Sequence, residues 1–238
     1  MRSYNIIGCL FIFIFVILFF LPWQKIESGN SNLKKNQYNS GLNNINLFEA
    51  LTNKNFWIFF FIYFNTAIGI FGISLQVVAY LNYCGFSEIE SAFYFGLLGI
   101  LTFPGMLFTG IAADIWKKHF VSTFSYFLSF LGIFSLFLLQ FYNNYFFLFL
   151  FIISFGLSAG ARGPIITTLI ARIFSGKSLA SIYGASNLGQ GIGAAFGAFL
   201  TGILYDYNSN YDSGFLICSI FILFGAILFW FIPEIKKL

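Results

Sequence analysis

Seven stretches of this chain are apolar and unbroken over lengths that cross a bilayer, near 4–22, 56–81, 91–113, 120–140, 145–172, 183–205 and 213–233. The core helices of a soluble protein would show narrower apolar stripes, with polar residues returning every third or fourth position. The one polar stretch of any length, 23–55, is rich in Asn, Ser and Lys and too short to enclose a core. Only 8% of residues are charged, against about 25% in an ordinary globular protein. The sequence therefore predicts an all-α membrane protein with about seven transmembrane helices. The first run is too long for a signal peptide and no small-x-small cleavage site follows it, so it reads as a retained span. The abundant Phe follows the same bias as Ile and Asn and carries no functional weight.

Lys and Arg orient the bundle. Lys25, Lys34, Lys35 and Lys54 separate the first two spans; Lys117 and Lys118 separate the third and fourth. Arg172 and Lys177 lie between the fifth and sixth, and Lys236 and Lys237 follow the seventh. The alternate loops hold Glu88, Glu90, Asp206 and Asp212 and no Lys or Arg. Basic loops stay cytoplasmic, which places the N-terminus outside and the C-terminus inside a plasma (inner) membrane. The net charge of +4 follows from this pattern and implies no nucleic-acid partner.

Soluble-enzyme motifs fail on context. "SGKS" at 175–178 has Ala171 where a phosphate-binding loop needs its first glycine. "GQGIG" at 189–193 lies inside a span, where small residues chiefly let helices approach. The acidic residues sit in loops or at span ends, the single histidine is His119, and Cys9, Cys84 and Cys218 have no metal-ligand spacing. No enzyme activity, metal or cofactor is expected. Nor is a retinal protein, since the seventh span lacks a lysine.

Two features inside the spans carry more. Asn65, Gly69, Gly72, Gln76 and Tyr80 recur at steps of three and four in the second span, which is one helix face, open to either helix packing or a water-filled cavity. The sixth span repeats this more weakly, with Tyr183, Asn187, Gln190 or Gly191, Ala194, Ala198 and Thr201. Arg162 sits in "SAGARGPI", about ten residues or roughly 15 Å from the end of its span, near mid-membrane. Its charge there marks it as a candidate anion-binding residue; the alternative is a structural tie to freed carbonyls or to Asn187 and Gln190.

"FEALTNKNFWIFFFIYF" with "GISLQVVAYLNYCGFS" resembles the seventh helix, and its approach, of a major facilitator superfamily transporter, in the branch of monocarboxylate porters and oxalate/formate antiporters. "GIAADIWKKH" resembles the superfamily's repeated Gly-x-x-x-Asp-Arg-x-Gly-Arg-Arg motif, with Gly110, Asp114 and Lys118 matching. "GILYDYNSNYDSGF" resembles the link between its last two helices, through Gly202, Asp206, Tyr211 and Phe215.

The resemblance implies a fold of one helix plus a six-helix half-bundle. Residues 1–22 match the family's sixth helix, 23–55 its cytoplasmic linker and 56–238 its C-terminal half, with "NLFEAL" at 46–51 a short helix capped by Asn46 and Glu49. A truncated gene, a split transporter or a self-pairing half would each account for the span count, so an N-terminal half is expected as a missing or separate partner. The implied function is secondary transport of a small organic anion such as a monocarboxylate, by alternating access. A non-transporting membrane subunit or scaffold is the alternative. Arg162, Asn65, Gln76, Tyr80, Asn187 and Gln190 are the expected substrate contacts; Gly110, Asp114 and Lys118 are the expected gating residues, Asp114 meeting the helix that begins near Ser181–Gly184. Two departures bear on the substrate: Met106 stands where carboxylate carriers have an arginine, and Gln76 where many have a histidine.

Overall fold

The computed structural model describes residues 45–232 apart from 143, 175 and 177, so the expected first span and most of the linker lie outside the described residues. The described helices are α1 (Leu47–Thr52), α2 (Lys54–Ser74), α3 (Val77–Tyr83), α4 (Glu88–Ile115), α5 (Lys118–Tyr142), α6 (Tyr145–Ala159), α7 (Arg162–Ile173), α8 (Leu179–Asn208) and α9 (Asp212–Phe229). Among the described residues six segments are long and apolar enough to span a membrane: α2, α4, α5, α6 with α7, α8 and α9. The chain is thus an all-α membrane protein, as its apolar runs predict.

Short polar residues start these helices where the apolar runs begin. The Ser87 side chain accepts from the Glu90 N–H and Glu90 accepts from the Ser87 N–H, closing a capping box at α4. Asn53 and Asn144 accept from backbone N–H groups in the first turns of α2 and α6. In α1, Glu49 accepts from the Asn46 N–H at 3.1 Å, and the Trp57 indole donates to the Leu51 carbonyl at 2.9 Å, tying α1 to α2.

Two spans are broken. α6 gives way to α7 at Gly160–Ala161, as the Gly-Ala-Arg-Gly-Pro run implies. Pro164 is the third residue of α7, where its missing N–H has no intrahelical partner to lose. The break between α2 and α3, at Leu75–Gln76, was not expected: the sequence reads as one continuous face there.

α2 is the central helix. In its most apolar window 67% of residues are buried, against 11% in α4. Its closest partner is α8, whose Gly189, Gly193 and Gly197 recur every fourth residue and face the carbonyls of Phe60, Phe64 and Ile68. A Cβ at those glycines would stand 2.4, 2.4 and 2.7 Å from the three oxygens. Lipid tails are as apolar as side chains, so van der Waals contact holds such helices together, and contact this close requires glycine. "GQGIG" is therefore a packing surface.

Candidate functional site

The expected polar face of the second span splits among three neighbours. Gly69 lies against Ile222 of α9, and Gly72 against Cys218 of α9 and Thr201 of α8. Asn65 is buried and donates to the Phe61 carbonyl of its own helix at 2.6 Å. Tyr80 is fully buried, donates to the Leu136 carbonyl of α5 at 2.6 Å, and sets its ring edge-on to Tyr211 and Phe215. Of the two readings of this face, helix packing is the one the fold takes at Gly69, Gly72 and Tyr80. Asn65 is satisfied by its own backbone and Tyr80 by α5, and the turn at Leu75–Gln76 breaks the register.

Gln76 is different. It is half-buried, and its Nε2 comes within 3.9 Å of where a Cβ on Gly202 of α8 would stand. Two turns along α8 from Gly202, Ala194 borders an open, mainly apolar hollow of about 370 Å³ lined by Phe71, Gly184, Asn187, Leu188, Gln190 and Gly191. Asn187 lies about 12 Å and Ala194 about 22 Å from the start of this 30-residue helix, so the hollow runs along its first half up to the middle. The Asn187 Oδ1 is shielded yet has no hydrogen-bond partner among the described residues. Tyr63 of α2 is buried, its hydroxyl near those of Thr167 of α7 and Tyr183 of α8 but without a hydrogen-bond partner among the described residues. The exposed face of α7 carries Gly163, Thr167, Thr168 and Ala171, and ends in the exposed Arg172.

Arg162 points away from it. The side chain is 2% exposed, with its guanidinium 4.2 Å above the Tyr126 ring of α5. Nη2 donates to the Ser125 carbonyl at 3.1 Å and to the Ser129 hydroxyl, and Nε donates to the Ser125 hydroxyl at 3.3 Å. The network extends outward: Tyr126 shares a 2.6 Å hydrogen bond with Thr66 of α2, and Ser129 one with Ser158 of α6. Nη1 has no partner among the described residues. The structural tie weighed as the alternative, to freed carbonyls or to Asn187 and Gln190, is made instead to α5, because the first turn of α7 aims its Arg162 side at α5 and its Gly163 side outward.

The α5 residues were missed by the sequence reading, although a signal existed. Ser122, Ser125, Ser129, Gly132 and Ser135 recur at three- and four-residue steps, and all are buried. Among the expected gating residues, Gly110 has open space where a Cβ would be. Asp114 is exposed, and Lys118 is buried with Asp114 and Arg172 as its charged neighbours. No hydrogen bond joins Asp114 to the first turn of α8 among the described residues. No cluster of His, Cys, Asp and Glu fit for a metal occurs among them either.

Six apolar spans, two of them broken, with an open hollow on one face define the class of an all-α integral membrane protein. The sequence profile of the Major Facilitator Superfamily matches residues 2–161 and 136–237, and the chain belongs to that family. Among solved structures it is similar to the crystal structure of the peptide transporter POT (E310Q mutant) in complex with sulfate, with a TM-score of 0.66 at 17% identity. That match covers 74% of this chain and 37% of the transporter, so the likeness concerns the fold and extends over about a third of that protein's length.

Proposed function

We propose that the described helices are the C-terminal half of a major facilitator-type secondary transporter, and that the hollow on α8 is its share of the substrate site. Residues 1–22 serve as the preceding sixth helix and 23–55 as the cytoplasmic linker; the N-terminus faces outside across a plasma membrane. An N-terminal half completes the cavity, and alternating access rocks the halves about it. Gly110, Asp114 and Lys118 belong to the cytoplasmic gate.

The observation that carries this reading is the hollow along the first half of α8, with Asn187, Gln190 and Phe71 on its wall and Gln76 further outward. Carboxamides both donate and accept, and an aromatic ring covers an apolar face, which suits a small polar organic solute. A second reading, transport of a small organic anion such as a monocarboxylate, is favoured by the unpartnered Nη1 of Arg162. A guanidinium grips a carboxylate through two hydrogen bonds, and a rotamer change at the helix break would turn it toward the exposed side of Gly163.

The test is counterflow of radiolabelled solutes, neutral and carboxylate, in proteoliposomes holding this chain with its N-terminal half. Asn187→Ala and Gln190→Ala are expected to abolish flux at unchanged folded yield. Arg162→Gln separates the readings: it lowers folded yield and spares specific flux if the arginine is structural, and abolishes carboxylate flux at normal yield if it binds substrate. Flux that ignores both Asn187 and Gln190 refutes the site. No flux of any solute, with stable recovery of a partner, supports the scaffold reading.

A further inference from the structure

The two helices that enclose the Lys117 turn leave a second hollow between them, which shares no lining residue with the hollow on α8. α4 and α5 both pack on α6 and touch each other little, so a groove of about 600 Å³ remains. Phe108 and Ala112 of α4 and Phe124 and Leu128 of α5 form its walls, with Leu157 and Ala161 as its floor. Its inner end is closed at Gly105, where a Cβ would stand only 2.0 Å from the Leu157 carbonyl oxygen. Its outer end opens at Trp116 and Phe120, on either side of the turn.

Length and lining identify the occupant. From Gly105 to Trp116 is eleven residues, or about 16 Å of helix, close to half the roughly 30 Å hydrocarbon core. One leaflet of acyl chain fills that distance. The lining is almost wholly apolar, and Phe108, Phe120 and Phe124 are exposed along it, so water gains no partners there. In hydrocarbon, a lipid chain is the group that reaches such a groove.

Charge at the mouth identifies the headgroup. Lys117 is exposed in the turn between the two lining residues Trp116 and Phe120. Lys118 and Arg172 lie behind it with Asp114, which gives three cations against one acid. Basic groups at a membrane interface beside a cleft between spans attract anionic headgroups, and Trp116 sits where an indole favours that interface.

We propose that the α4–α5 groove binds an anionic phospholipid, one acyl chain lying between Gly105 and Trp116 and the phosphate at Lys117. The site holds the bare α4 helix against α5 and places a lipid headgroup beside the Asp114–Lys118 pair.

The experiment uses the full chain with Trp116 as its only tryptophan (Trp23, Trp57 and Trp230→Phe), in vesicles of equimolar phosphatidylglycerol and phosphatidylcholine. One lipid at a time carries acyl-chain bromines, which quench a nearby indole. Brominated phosphatidylglycerol is expected to quench Trp116 with a binding constant about fivefold above brominated phosphatidylcholine, the gain from roughly one surface lysine. Lys117→Gln removes that preference. Ala112→Phe, which fills the groove and leaves the charges, lowers quenching by both lipids. Equal quenching by the two lipids in the parent overturns the proposal, and so does a preference that survives Lys117→Gln or a groove-filled variant that quenches like the parent.

Discussion

Two glycines of α8, only two residues apart, should respond to the same substitution in opposite directions. Gly193 faces α2, and an added Cβ would stand 2.4 Å from the Phe64 carbonyl oxygen and 3.0 Å from its Cα. Gly191 has nothing within 4 Å. Ordinary contact begins near 3.4 Å, so Gly193→Ala forces α2 and α8 about 1 Å apart. Backing off by 0.5–1 Å forfeits about a quarter to a half of each van der Waals contact, and the loss extends along the whole stripe from Gly189 to Gly197. Overpacking of this kind costs about 1–3 kcal/mol. It outweighs the gain of up to about 1 kcal/mol that alanine brings to a helix. At Gly191 only the gain remains. Unfolding of the full chain in mixed micelles, followed by circular dichroism as the denaturing detergent is raised, measures both. Gly193→Ala should lower the midpoint and Gly191→Ala leave it unchanged or raise it. If both move the same way, or Gly193→Ala is neutral, the close α2–α8 approach is wrong.

Further expectations concern the arginine network, the outer turn and the gate. Ser129→Ala removes a hydroxyl shared by Arg162 and Ser158; it should destabilise the chain by about 1–3 kcal/mol in the same assay, as a buried charged group loses an acceptor. Tyr126→Phe keeps the ring under the guanidinium and loses only the bond to Thr66, so about 0.5–1.5 kcal/mol is expected. Cys84 follows α3 at its outer end, half-buried, and burial pushes its thiol above the usual range although Tyr80 partly opposes this. In a chain without Cys9 and Cys218, an impermeant maleimide should label it from outside intact cells. Its rate should keep rising with pH beyond where an ordinary thiol levels off, because the thiolate forms later; labelling only after permeabilisation contradicts the orientation. Asp114→Asn, in a completed transporter, should leave expression intact and slow exchange, read as counterflow rate at equal protein.

Membrane character, the number of described spans and their approximate ends were legible because twenty or so apolar residues can do little else. The break before Arg162 was legible too, in Gly160, Gly163 and Pro164. Helix faces were not. In water an amphipathic stripe announces which side is buried, but in lipid both sides can be apolar and the hydrophobic effect no longer sorts them. Asn65, Gly69, Gly72 and Tyr80 share a face in the sequence whether that face meets water or helices, and only the tertiary fold, by laying α9 and α8 over it, made it a packing surface. Arg162 had to be satisfied by something. Its neighbours in sequence gave no direction, and the partners on α5 came from the turn at Gly160–Ala161, which fixes where the first residue of α7 points. The sequence alone determined that this chain lies in a membrane as a set of helices, because apolar length is a local property. Which polar groups face one another and which face the hollow on α8 was decided by packing, because a buried group in hydrocarbon is stable wherever it finds a partner.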